Sequence, residues 1–222
     1  HDVAIQDLPV VMCLDRGGLV GEDGVTHHGV FDMAAFGAVP GLTIAAPMNE
    51  PELRNMMYTA LGSGHPFMIR YPRGHGEGLP WRGEKFETLP VGRGRRLREG
   101  ADVALLTVGT VGNAAARAAG RAAAEGVSVA HYDLRFVKPL DEALLDEVGR
   151  KFRRVVTVED GSLRGGVGEA VAAFFNGRGY DVRVQRLGIG DEWVEHGTPG
   201  QLYALCGYDE EGILRALLDT RA

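Results

Sequence analysis

Two arginines stand where a parallel sheet would hold a ligand. Arg16 follows the apolar run Leu8-Pro9-Val10-Val11-Met12-Cys13-Leu14 and its closing Asp15, and Arg73 follows Pro66-Phe67-Met68-Ile69-Arg70-Tyr71-Pro72. Ligands of open parallel sheets lie beyond the carboxyl ends of the strands, so both guanidinium groups are predicted to face one edge. Each is succeeded at once by glycine, in Arg16-Gly17-Gly18 and Arg73-Gly74, which lets backbone come close to a bound group. A guanidinium is planar, and its fork of donors matches the oxygens of a phosphate or carboxylate. Together the two predict an anion site; the plain alternative is that each pairs with a nearby surface acid. Between them runs the loop Gly21-Glu22-Asp23-Gly24-Val25-Thr26-His27-His28-Gly29. An imidazole titrates near neutral pH and suits proton transfer. Substrate or catalytic contact is the first reading of this loop and a solvated loop the second. Metal ligation by Asp23, His27 and His28 is the third, because the spacing matches no specific metal motif.

Other clusters read more plainly. Gly109-Thr110-Val111-Gly112 opens an Ala-rich helical stretch, and Asp133 ends the following strand. That resembles half of a dinucleotide fingerprint, but the three-glycine pattern is incomplete. Gly165-Gly166-Val167-Gly168 could hold an anion at a helix start, and more simply allows a tight strand-to-helix turn. Arg93, Arg95, Arg96 and Arg98 lack interleaved aromatics and read as an exposed strand or a subunit contact. Cys13 and Cys206 have no metal-ligand spacing and read as small buried apolar residues.

The elements that must carry these residues alternate in type. Strands are predicted at 8–15, 42–46 and 66–71, with a short helix at 30–36. Asn49 caps a second helix with Pro51 in its first turn, running to about Leu61. Residues 75–90 hold Gly, Pro, Trp and charges without period, and read as an interdomain linker. Strands follow at 101–107, 127–132, 154–159 and 182–187, interleaved with helices at 112–125, 140–149 and 168–176; two more helices, at 199–205 and 210–218, close the chain. Alternating strands and helices predict an α/β fold of two domains, each a mostly parallel sheet with helices on both faces.

The 222 residues suit one or two domains, and 45% hydrophobic with 24% charged residues is an ordinary globular composition. A net charge of −6 argues against nucleic acid as the main partner. No apolar run reaches the ~20 residues of a membrane span, and two distant cysteines fit a reducing, cytoplasmic setting. The opening His1-Asp2-Val3-Ala4-Ile5-Gln6 reads as the tail of a helix whose beginning lies upstream, so the chain is expected to be a fragment.

Whole motifs then become recognisable. Asp15-Arg16-Gly17-Gly18-Leu19-Val20-Gly21 followed by Asp23-Gly24-Val25-Thr26-His27-His28-Gly29 resembles a signature stretch of the 1-deoxy-D-xylulose-5-phosphate synthase family. Arg70-Tyr71-Pro72-Arg73-Gly74, Arg135-Phe136-Val137-Lys138-Pro139-Leu140-Asp141 and Val194-Glu195-His196-Gly197 are similar to further motifs of that family. The resemblance implies a transketolase-like fold, with residues 1–84 forming the later part of a pyrimidine-binding domain and 85–222 a transketolase C-terminal domain. It implies a transferase that condenses pyruvate with D-glyceraldehyde 3-phosphate to 1-deoxy-D-xylulose 5-phosphate and CO2. That product feeds isoprenoid, thiamine and pyridoxal synthesis. By the same resemblance Arg16 and Arg73 hold the acceptor's phosphate. His27 contacts the reacting adduct as hydrogen-bond donor or proton shuttle, and Asp23 orients hydroxyls beside it. His28 fills a variable slot; Asp15 and Tyr71 are scaffold.

The cofactors implied are thiamine diphosphate and Mg²⁺. The family's residues for them, a glutamate, a stacking aromatic and a Gly-Asp-Gly motif, are not matched in this chain and are expected upstream. The implied partners are therefore the N-terminal part of the same protein and a second copy in a homodimer, and the chain alone is expected to be inactive. Three other readings stay open: a transketolase or 2-oxo-acid dehydrogenase β subunit, a non-catalytic assembly module, and, most weakly, a dinucleotide-binding domain.

Overall fold

A computed structural model describes residues 1–219. Two sheets organise them. The larger has strands β4 (Arg95–Arg98), β5 (Val103–Val108), β6 (Val129–Asp133), β8 (Arg154–Ser162) and β9 (Arg183–Ile189) in the order β4-β6-β5-β8-β9. All its pairings are parallel except that of the edge strand β4 on β6. Residues of β5 point alternately to opposite faces, and both faces are covered. Val103 and Leu105 pack with Ala115, Ala118, Ala119 and Ala122 of α4 (Val111–Ala124) and with Ile213 and Leu217 of α8 (Glu210–Leu218). Ala104 and Leu106 pack on Leu145 and Val148 of α5 (Glu142–Lys151) and on Val171 and Phe175 of α6 (Val167–Gly177). This two-sided burial is why β5 reads as a continuous apolar run. The Ala positions of α4 recur at helical spacing, which presents one small-residue face to the sheet.

The smaller sheet has the order β1-β3-β2-β7, from β1 (Val11–Leu14), β3 (Phe67–Arg70), β2 (Thr43–Ala45) and β7 (Phe136–Lys138). β1, β2 and β3 are parallel, and β7 runs antiparallel to β2. α3 (Glu50–Ser63) covers one face, with Met56 and Ala60 on Ala45, Phe67 and Ile69. Its start is set as expected: the Asn49 side chain accepts from Glu52 N at 3.1 Å, and Gly64 ends it at φ 73°.

Several elements depart from the sequence reading. The run 8–15 is not a strand buried on both faces. Among the described residues β1 pairs only with β3, so it is an edge strand, and Cys13 is exposed rather than buried. Cys206 is half-buried, and burial pushes its thiol up to about 11. The helix expected at 30–36 is α2 (Asp32–Gly37), and α1 is the short turn Asp2–Ile5. The arginine cluster forms β4, and its charges are largely answered: Arg93 meets Asp141 at 3.0 Å, Arg95 meets Glu52 at 2.8 Å, and Arg96 meets Glu147 at 2.9 Å.

β7 is the unforeseen strand, since it lies within the second stretch of sequence yet completes the first sheet. Arg135, just before it, grips the buried Glu52 with two bonds of 2.8 and 2.9 Å. Lys138 Nζ donates to the Gly37 carbonyl at 3.0 Å. Residues 75–90 form no helix or strand, but they are strapped along α3. Glu87 N donates to Asn55 Oδ1 at 3.2 Å, Leu89 N to Thr59 Oγ1 at 2.8 Å, and Phe86 stacks on Tyr58 at 5.1 Å.

Candidate functional site

The carboxyl ends of β1 and β3 meet as parallel neighbours with Leu14 opposite Arg70. Immediately beyond, Arg16 takes a left-handed backbone at φ 59°, a conformation that costs a non-glycine residue on the order of 1 kcal/mol. This turn swings Gly17 N onto the Tyr71 carbonyl at 2.9 Å. Gly18 and Gly29 then exchange backbone hydrogen bonds of 2.8 and 2.9 Å, closing the 16–29 loop at its base. A Cβ on Gly29 would lie 2.1 Å from the Arg16 carbonyl oxygen, so the closure requires glycine there.

Closure brings a carboxylate between the two arginines. Asp23, ending a short 3-10 turn at Gly21–Asp23, accepts from Arg16 Nε at 3.4 Å and forms an ion pair with Arg73 Nη1 through the same oxygen. Arg73's hydrogen bond, reinforced by Arg16, holds the Asp23 carboxyl below the usual range against partial desolvation. Arg16 also pairs with Asp15 at 2.6 Å. The structure therefore joins Arg16, Asp23 and Arg73. His27 is not part of that contact: it is exposed near the loop's tip, with Nδ1 3.0 Å from Thr26 Oγ1. His28 is structural, its Nδ1 accepting from Val20 N at 3.1 Å and its Nε2 lying 3.4 Å from the Glu195 carbonyl. Beside Arg73 opens a cleft of about 690 Å³, lined among others by Asn49, Tyr71, His75, Asn113, Arg117 and Tyr203.

Beneath the loop lies a polar hub. Arg70, 4% exposed, donates from Nε to Asp32 at 2.6 Å and from Nη2 to the carbonyls of Gly29 at 3.1 Å and Asp160 at 3.0 Å. The Asp160 carboxylate accepts from Leu19 N at 3.0 Å, Tyr208 OH at 2.8 Å and Tyr203 OH at 3.2 Å. Burial pushes its carboxyl up, against the pull of Arg70 and of these donors. Neither residue was singled out from sequence. The available signals were an arginine inside an apolar run and acids closing another, because charged residues buried in strands must be paired.

Three sequence readings are resolved by these contacts. Glu159 already occupies the amides that start α6, accepting from Val167 N and Gly168 N at 2.8 Å each, so the glycine cluster there is a turn. Asp133 is 1% exposed and held by Arg95 at 3.1 Å, a position closed to a ribose. Among the described residues no group of three or more His, Cys, Asp and Glu could hold a metal ion. The carboxylates of Asp15, Asp23 and Asp32 are instead tied to Arg16, Arg73 and Arg70. These acids are thus committed to arginines and do not form a ligand set for the metal of a thiamine cofactor. Among the described residues no helix is long and apolar enough to cross a membrane.

Residues 92–213 match the family model for the transketolase C-terminal domain, and residues 1–77 that for the transketolase pyrimidine-binding domain. The chain belongs to the transketolase family. A solved split-gene transketolase, described as an inactive β4 tetramer, shares its fold at a TM-score of 0.85 and 27% identity, over 97% of this chain and 68% of that one. Among curated transketolase-family relatives, 1-deoxy-D-xylulose-5-phosphate synthase of Bacteroides fragilis is 58% identical over 100% of this chain and 34% of its own length. The Bacteroides thetaiotaomicron protein of that name is 57% identical over 98% of this chain and 34% of its own length. This chain thus spans about a third of the curated relatives it matches.

Proposed function

We propose that this chain supplies the acceptor-binding part of a longer enzyme that uses thiamine diphosphate and Mg²⁺ to join pyruvate to D-glyceraldehyde 3-phosphate. The products are 1-deoxy-D-xylulose 5-phosphate and CO2, and the first feeds isoprenoid, thiamine and pyridoxal synthesis. The observation that carries this reading is the meeting of Arg16 and Arg73, from separate strand ends, on one carboxylate oxygen of Asp23. Two guanidinium groups that close together form a fork for the three oxygens of a phosphate. Asp23 holds them in register until the phosphate arrives and then turns to the acceptor's hydroxyls. His27, with Nδ1 engaged by Thr26, offers Nε2 to the reacting oxygen. The names of the relatives support the choice of substrates. The cofactor's metal and diphosphate lie with the N-terminal part of the same protein, and the whole works as a cytoplasmic homodimer.

The test is kinetic, in the full-length enzyme. Arg73→Ala and Arg16→Ala are each expected to raise KM for the phosphorylated aldehyde by roughly 10- to 100-fold, the worth of a charge-assisted contact. KM for pyruvate should stay within about twofold. Equal effects on both substrates would remove the phosphate role. The likeness to a β4 assembly described as inactive favours a second reading for the chain by itself, as an assembly module without activity. Sedimentation of the isolated chain alongside a turnover assay separates the two.

A further inference from the structure

The loop bearing Arg16, Asp23 and His27 belongs to the first domain by sequence, yet the second domain grips it. The firmest hold is Asp160, which follows the buried run Val155–Val158 and points its carboxylate at the loop's base. Oδ1 accepts from Leu19 N at 3.0 Å. Gly18 packs so tightly there, at φ 88°, that a Cβ would sit 2.0 Å from Asp160 Oδ2. Two tyrosines of the second domain fix the carboxylate in turn, Tyr208 at Oδ1 and Tyr203 at Oδ2. Arg70 ties the Asp160 carbonyl to that of Gly29, at the loop's other end. Lesser holds follow around the loop: Gly197 N lies 3.4 Å from the Gly21 carbonyl, and the Glu195 carbonyl lies 3.4 Å from His28 Nε2.

We infer that Asp160 is a positioning residue for the acceptor site, setting the backbone from Gly18 to Leu19 and through it the aim of Arg16 and Asp23. The inference rests on the acceptor-binding reading above. Its physical basis is leverage over a short distance. Leu19 is three residues from Arg16 and four from Asp23, and glycines on either side leave the loop little stiffness of its own. The Asp160 carboxylate is itself buried, and its three donors, two buried and Tyr203 half-buried, fill both oxygens, so it holds one orientation. A displacement near 1 Å at a substrate-holding group is enough to cost on the order of 100-fold. The second domain thereby enters the chemistry without touching the substrate.

The experiment compares Asp160→Ala, Asp160→Asn and the control Arg73→Ala in the full-length enzyme. Asp160→Ala removes the acceptor for Leu19 N and should raise KM for D-glyceraldehyde 3-phosphate roughly tenfold, with KM for pyruvate nearly unchanged. Asp160→Asn keeps an oxygen for Leu19 N and Tyr208 while its amide faces the Tyr203 hydroxyl, so it should restore most of the acceptor KM. If Asp160→Ala does not fold, Tyr208→Phe takes its place; by removing one donor to the carboxylate it should shift the acceptor KM about threefold. Equal changes in both KM values, or a loss of thermal stability with the acceptor KM intact, overturns the inference. Arg73→Ala separates the failures. If it raises the acceptor KM while the Asp160 and Tyr208 variants do not, only the positioning role falls. If it too leaves that KM unmoved, the acceptor-binding reading fails and takes this inference with it.

Discussion

Asp133 offers a sharp test of whether burial or ion pairing governs the charges between the two sheets. Its carboxylate is 1% exposed, meets Arg95 at 3.1 Å and accepts from Arg135 N at 3.0 Å, with Glu52 close enough to repel it. An ion pair alone would hold the carboxyl below its ordinary value. Burial outweighs Arg95 here and raises it from 3.8 to about 6. The folded protein therefore binds this proton more tightly than the unfolded chain. Asp133 contributes stability that is fully present below pH 3.8 and is lost as pH rises through about 6. Over the whole window the term is about 3 kcal/mol, and between pH 7.5 and pH 5 it is about 1 kcal/mol. Asp133→Asn, which carries no ionisable proton, should abolish it. Urea unfolding of both proteins at the two pH values isolates the term, because all other titrations cancel in the difference. The parent should gain about 1 kcal/mol on the variant at pH 5 relative to pH 7.5. A variant penalty that is equal at both pH values, or smaller at pH 5, would show that Arg95 wins and that the reasoning is wrong.

Three further expectations follow from single contacts. Burial pushes His131, 2.9 Å from Thr107 Oγ1 with Arg95 and Arg98 nearby, down to about 4. Its stability contribution is full above 6.5 and lost as pH falls toward 4, so His131→Gln should lessen the parent's loss between pH 7.5 and 5 by about 2 kcal/mol in the same urea assay. Asn49→Ala removes the cap on Glu52 N and should cost about 1 kcal/mol by thermal unfolding, whereas Asn49→Asp should cost little. Asp23→Asn leaves the Arg16 and Arg73 guanidinium groups without their shared counter-ion, and calorimetry should show inorganic phosphate bound several-fold more tightly.

Much of the fold was legible because burial writes itself into residue order. A parallel strand covered on both faces is mostly apolar, so strands could be placed from the sequence at 101–107 and 154–159, close to β5 and β8. Asn49 with Pro51, and Gly64 beyond them, announce the ends of α3 because those residue types satisfy orphaned helix-end groups. β7 was not legible, and β4 was legible only as an exposed strand or a subunit contact. β4 is an arginine-rich edge whose pairing depends on acids brought in from α3, β6 and α5. β7 is three residues long and gains its place only by adding to the other sheet. Edge strands carry little pattern of their own, which is also why 8–15 reads as a buried strand although Cys13 is exposed.

The candidate site divides along the same line. Sequence alone determined that two arginines end two strands beside glycines, that an acid and a histidine lie in the loop between, and to which family such motifs point. These are properties of residue type and local spacing. Only the tertiary structure decided that one oxygen of Asp23 joins both arginines, that His28 is a backbone partner, and that Arg70 and Asp160 hold the loop from below. Those pairings span from 7 to 167 residues of chain. A hydrogen bond is a statement about distance and angle in space, and over such separations only the packing of the two sheets can specify it.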